Sequence, residues 1–156
     1  MPTKEESLQE IGQNAHDSLA EMVAALECDY DRLDELRDDC PWVNDDERNE
    51  LSALEKSAGD CEDLDDAQQR IQEDPLCIEV RSNWQPPNGV TLEPPAEYCI
   101  LLTTGGPAVR IIGKLHHNEP VSATLQTQDW GTMWTDYGDS DANMLLTYAG
   151  SFWYGA

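Results

Sequence analysis

Carboxylates are the side chains of this sequence best placed to do chemistry. The stretch DYDRLDELRDDCPWVNDDERNE, residues 29–50, holds ten of them against three arginines. Calcium coordination is the first use to test, and it needs a loop with oxygen ligands at fixed positions, glycine at the sixth and glutamate at the twelfth. The best match, DSDANMLLTYAG from Asp139, puts Met144 at the glycine position and Gly150 at the glutamate position. Asp141 reads instead as a helix cap. Zinc needs Cys and His at close spacing. His116 and His117 are adjacent, so on a strand they would point to opposite faces, and no cysteine pair lies near them. Cys99 sits in an apolar run and reads as packing rather than as a nucleophile. No GxSxG, GxGxxG or P-loop occurs, and among 32 carboxylates no acid–base pair stands out. Neither enzyme activity nor a cofactor or metal is expected.

What the carboxylates can do together is present charge. The formal net charge is −23 and the pI is about 4.1. Residues 1–75 carry 24 acids and 6 bases, or −18, whereas residues 76–156 carry 8 and 3, or −5. Salt adaptation would spread the acidity evenly, and solubility alone favours mixed signs. An uneven excess marks an interaction surface.

The elements that must position this charge follow from the apolar spacing. Leu8, Ile11, Ala15, Leu19, Met22, Leu26, Tyr30, Leu33 and Leu36 recur at gaps of three and four, a narrow helical seam. Thr3 and Glu6 form a capping box at its start, and Pro41 ends it. Asn44 with Glu47 opens a second helix whose seam is Leu51, Leu54, Ala58, Cys61, Leu64 and Ile71. Gly59 is a kink site with Asp60 as a new cap, and Asp74-Pro75 stops the helix. Paired through the turn at Pro41-Trp42-Val43, these two helices make an acidic αα-hairpin. From residue 76 the period changes to two. Residues 76–84, 98–104, 108–115 and 121–128 read as strands, the last three as an antiparallel meander. Proline-rich 85–97 is an irregular connection, and a final amphipathic helix spans about 141–154. The expected class is α+β, with units 1–75 and 76–156.

Charge density suggests what the hairpin is for. Duplex DNA carries one negative charge per ~1.7 Å of axis. Two paired helices rising ~1.5 Å per residue, with acids this dense, approach one per ~2 Å. Such a surface attracts a protein built to hold nucleic acid. The expected contacts are Asp29, Asp31, Asp34, Glu35, Asp38, Asp39, Asp45, Asp46, Glu47, Glu50, Glu62, Asp63, Asp65 and Asp66. Trp130, Trp134 and Tyr137, in WGTMWTDYGD, are secondary contacts or caps on a small core. An acidic adaptor docking on a basic protein, such as a transcription factor or polymerase subunit, accounts for the same charge. Symmetric dimerisation through the helical seams is a further option.

The acidic half together with YCILLTTGGPAVRIIGKL and LQTQDWGTMWTDYGDSDANMLLTYAGSFWYG resembles small proteins of phages and mobile elements. In size and acidity the chain is similar to phage-encoded DNA mimics, the anti-CRISPR and anti-restriction proteins. That likeness is one of charge layout and carries over no functional residue. It implies a stoichiometric inhibitor in the host bacterial cytoplasm that occupies the nucleic-acid channel of a CRISPR effector or restriction enzyme. It implies no direct contact with nucleic acid or membrane.

Overall fold

The computed structural model describes residues 3–38, 44–84, 87 and 94–155. The fold is α+β, with a helical layer on one face of an antiparallel sheet and a short helix near the C-terminus. The helices are α1 (Lys4–Glu27), α2 (Tyr30–Asp38), α3 (Asp45–Ala58), α4 (Leu64–Glu73) and α5 (Ala142–Ala149). The strands are β1 (Cys77–Arg81), β2 (Glu97–Thr103), β3 (Ala108–His116), β4 (Glu119–Pro120), β5 (Thr124–Gln128) and β6 (Thr135–Asp136). Sheet order is β1-β2-β3-β5-β6, with β4 pairing only the end of β3.

Each of the two long helices read from the sequence is two helices. The first stops where Cys28 turns extended (φ −64°, ψ 138°). Asp29 then caps α2, its side chain accepting from Arg32 N at 3.0 Å and its carbonyl from Leu33 N. The second stops at Gly59, whose φ of +58° costs a glycine little. Asp63, not Asp60, caps the continuation by accepting from Asp66 N. Thr3 and Glu6 form the capping box as read, and Asn44 accepts from Glu47 N at the start of α3. Asp141 caps α5 through Asn143 N and Met144 N, and α5 is shorter than the 141–154 expected. The turn at Pro41-Trp42-Val43 lies outside the described residues.

Apart from Leu64, which is 44% exposed, the seam residues are buried or half-buried, but not only against one another. Leu19, Met22 and Val23 of α1 and Ile71 of α4 share a core with Tyr98, Ile100, Val109, Ile111, Leu115 and Leu125 of the sheet. Met144, Leu145, Tyr148 and Ala149 of α5 close it. The buried arc of α1 is wider than a coiled-coil stripe because α1 meets α4, α5 and the sheet at once. Gly12 permits that approach: a Cβ there would fall 2.3 Å from the Tyr137 ring. A second, smaller core of Ala25, Tyr30, Leu33, Leu36, Leu51, Ala58, Cys61 and Ala67 lies among the helices alone. Most of the described seam positions are thus packed within the chain.

Burial raises all five tyrosine hydroxyls above their ordinary value, and Tyr30 is pushed up to about 12. At Tyr148 the hydrogen bond donated to Asp74 adds to burial. A raised folded pKa stabilises the fold fully below the unfolded value of ~10, and that stability is lost as pH climbs toward the folded values. Above pH ~10, tyrosinate absorbance is therefore expected to rise only together with loss of circular dichroism. Titration near pH 10 in a still-folded chain would contradict this packing.

Candidate acidic interface

Of the 23 described acids in residues 3–75, 22 are exposed, and Glu47 is half-buried. They are out because the 3.6-residue period of each helix commits the inner face to the cores. On α2, Tyr30, Leu33 and Leu36 point inward, which leaves Asp31, Asp34, Glu35 and Asp38 along the outer face. Those four carboxylates span ~10 Å of helix axis, about one per 3.5 Å. One strand of DNA carries a phosphate per ~3.4 Å. On α3, Leu51 and Ala58 are buried while Asp45, Asp46 and Glu50 face out. On α4, Ala67 and Ile71 are buried while Asp65 and Asp66 face out.

Not all of this charge is free. Arg32 Nε donates to Glu50 Oε1 at 2.7 Å and Nη2 to Glu50 Oε2 at 3.1 Å, while Nη1 reaches Glu35 at 3.2 Å. These bonds hold the Glu50 carboxyl below its usual range. Arg37 pairs Glu55 at 3.5 Å, so the two arginines of α2 tie it to α3. Asp45 lies 3.9 Å from Arg48. Asp29 and Asp63 spend their side chains as caps, and Asp66 accepts from Glu62 N. Among the described residues, Asp31, Asp34, Asp38, Asp46 and Asp65 form no ion pair. Asp39 lies outside the described residues. The described contacts thus include helix caps (Asp29, Asp63), carboxylates paired to arginine (Glu35, Asp45, Glu50) and an unpaired set with three members on α2.

The acid-rich helices rest on the smaller core, where eight buried side chains must hold like charges together. Screening should therefore stabilise this protein. Raising salt from ~0.01 to ~1 M shortens the Debye length from ~30 to ~3 Å. The thermal midpoint is expected to climb by about 2–4 °C for each kcal/mol of self-repulsion removed. A midpoint that stays flat or falls would mean that the charges are already balanced by their neighbours.

The aromatic group is split by the fold. Tyr137 is 4% exposed; it donates to Gln13 Oε1 and packs on Gly12, so it belongs to the core. Trp134 lies under the Arg110 guanidinium, 4.2 Å from ring centroid to Cζ. Trp130 is 74% exposed and packs one edge against Gly106. Met133 beside it, and Trp84 and Trp153 elsewhere, are exposed too.

Sequence reading missed the face of the sheet turned away from the helices. Arg81, Arg110 and Lys114, the three cations of residues 76–156, line one shallow cleft of about 450 Å³ there with Glu97, Cys99 and Ile112. Cross-strand register sets Glu97 between Arg81 and Lys114, and Arg110 donates to Gln126, which donates to Asp136. The cations are therefore absorbed into polar rows across the sheet. The alternation Arg110-Ile111-Ile112-Gly113-Lys114 was the available signal, since it puts both cations and Ile112 on one strand face. Burial pushes the Cys99 thiol up, so it is not a thiolate at neutral pH.

At the other end of β3, His116 and His117 do not diverge as strand neighbours would. His117 and Asn118 both take positive φ (50° and 66°), and the tight turn brings the two imidazole rings to 4.1 Å. Among the described residues no three His, Cys, Asp or Glu side chains converge on a point, and no helix is long and apolar enough to cross a membrane. Comparison with protein-family models, with curated proteins and with solved structures returned no match to this chain.

Proposed function

We propose that this protein is a non-catalytic inhibitor that docks its acidic helical layer into the nucleic-acid groove of a basic partner. The partner class implied by the resemblance is a defence complex, a CRISPR effector or a restriction enzyme. The observation that carries the reading is the outer face of α2, where Asp31, Asp34 and Asp38 stand exposed, without ion pairs among the described residues, at about one per 5 Å of helix axis. A basic groove meets there a row of carboxylates at roughly one and a half times the phosphate spacing of one DNA strand, on a scaffold that has no bases to read.

Exposed Trp130, Met133 and Trp153 support a second reading, an adaptor that clamps a protein partner through apolar anchors. One experiment separates the two. The protein is immobilised, host extract is passed over it at low salt, and bound proteins are eluted with a salt gradient. Mimicry predicts elution of a nucleic-acid-binding complex that no longer binds DNA while this protein is present. Recovery of a partner that binds DNA normally in its presence would overturn mimicry in favour of the adaptor.

A further inference from the structure

The outer edge of β1 carries a signal that the acidic surface does not explain. Val121 N donates to Lys114 O, so the even-numbered residues of β3 turn toward β4 and the odd-numbered ones toward their register partners, the even-numbered residues of β2. The odd-numbered residues of β2 therefore face their register partners Cys77, Glu79 and Arg81 on β1. By the same alternation, the N–H and C=O of Ile78 and Val80 point away from the sheet. Among the described residues, no strand pairs with that edge. Val80 on β1 is 43% exposed, and Leu76 just before the strand and Trp84 beyond it are 58% and 103% exposed. An open edge with uncovered apolar residues is a template for another strand.

The sequence of the edge selects its occupant. When β1 is laid antiparallel on a second β1, backbone bonding requires even residues to face even residues. Centring the pair on Glu79 sets glutamate against glutamate, and centring it on Arg81 sets arginine against arginine. Centring it on Val80 sets Glu79 opposite Arg81 twice, with Val80 against Val80 at the centre, and Arg81 then bridges Glu97 of its own chain and Glu79 of the other. Only this register is complementary in charge, and it is its own two-fold image. We infer that β1 is a self-recognition edge through which two copies join their sheets about Val80.

The test needs only the protein itself, so it stands or falls independently of any basic partner. At ~0.15 M salt, where the Debye length is ~8 Å, sedimentation equilibrium over micromolar concentrations should show a reversible dimer. E79R and R81E should each weaken it by at least about 10-fold, ~1.4 kcal/mol, because like charges then face each other at the two outer pairs. Mixing the two variants in equal amounts should restore a dimer, since the two arginines on the edge of one variant then face the two glutamates on the edge of the other. Val80→Pro removes an outward N–H and no bond to β2, so it should also give monomer, and it serves if R81E does not fold beside Glu97. A wild-type chain that stays monomeric, or single variants that dimerise as the wild type does, would overturn the assignment.

Discussion

Replacing Asp31, Asp34 and Asp38 together by lysine is expected to weaken binding to a basic nucleic-acid-binding complex by about 10²-fold. The three side chains are exposed and unpaired and share one face of α2, so reversal replaces three attractions with three repulsions without touching a core. At about 1 kcal/mol for each exposed pair, ~3 kcal/mol in all, the loss is two decades. The salt slope of binding should also flatten by roughly one unit per lost contact. Reversing Asp29 and Asp63 should act differently. Those residues cap α2 and α4, so their loss should cost about 1 kcal/mol of stability, and binding should fall only as far as the helices loosen. Calorimetry on the folded variants distinguishes the two effects. If the α2 triple variant binds like the wild type while Trp130→Ala does not, the charged layer is a solvated face and the adaptor reading takes over.

Ile111→Ala is expected to lower stability by about 2–5 kcal/mol and to bring helices and sheet down in one transition. Ile111 is fully buried on β3, between Ile100 and Leu125 in the register, in the core that also holds Leu19, Met22 and Ile71 of the helical half. Leu36→Ala should cost a similar amount locally. Leu36 belongs to the smaller core, so amide exchange should accelerate in α2 and α3 while β2, β3 and β5 stay protected. A matching exchange pattern for both variants would show that the two cores unfold as a unit. Set against a total stability typically of ~5–15 kcal/mol, either change is large.

The α+β class, the seam residues and the four principal strands are legible in the sequence because periods of 3.6 and 2 report burial directly. The helix break at Cys28 is not, and at Gly59 the break is legible but its new cap is not. At the first, the apolar spacing runs on from Leu26 to Tyr30 to Leu33 without interruption, and the capping Asp29 is one acid among many. At the second, Gly59 is visible as a breaker, but Asp60, Glu62 and Asp63 all stand ready to cap, and only the three-dimensional path chooses Asp63. The same crowding hides which acids of the interface are spent. Arg32 chooses Glu50 across the α2–α3 contact, a pairing 18 residues apart that no spacing rule predicts. Tyr137 differs again: among three aromatics in one loop, it is the one that reaches Gly12 on α1, and a long-range fit leaves no local pattern.

Under the proposed function, the acidic layer and nucleic acid compete for one groove. Fluorescence anisotropy of a labelled duplex, held by the basic complex recovered on the immobilised protein, tests it most directly. Wild-type protein should displace the duplex at a stoichiometry near one, less well as salt rises, and the Asp31, Asp34 and Asp38 lysine variant should displace it about 10²-fold less well. A stable ternary species, with duplex still bound and anisotropy rising as the protein is added, would contradict it.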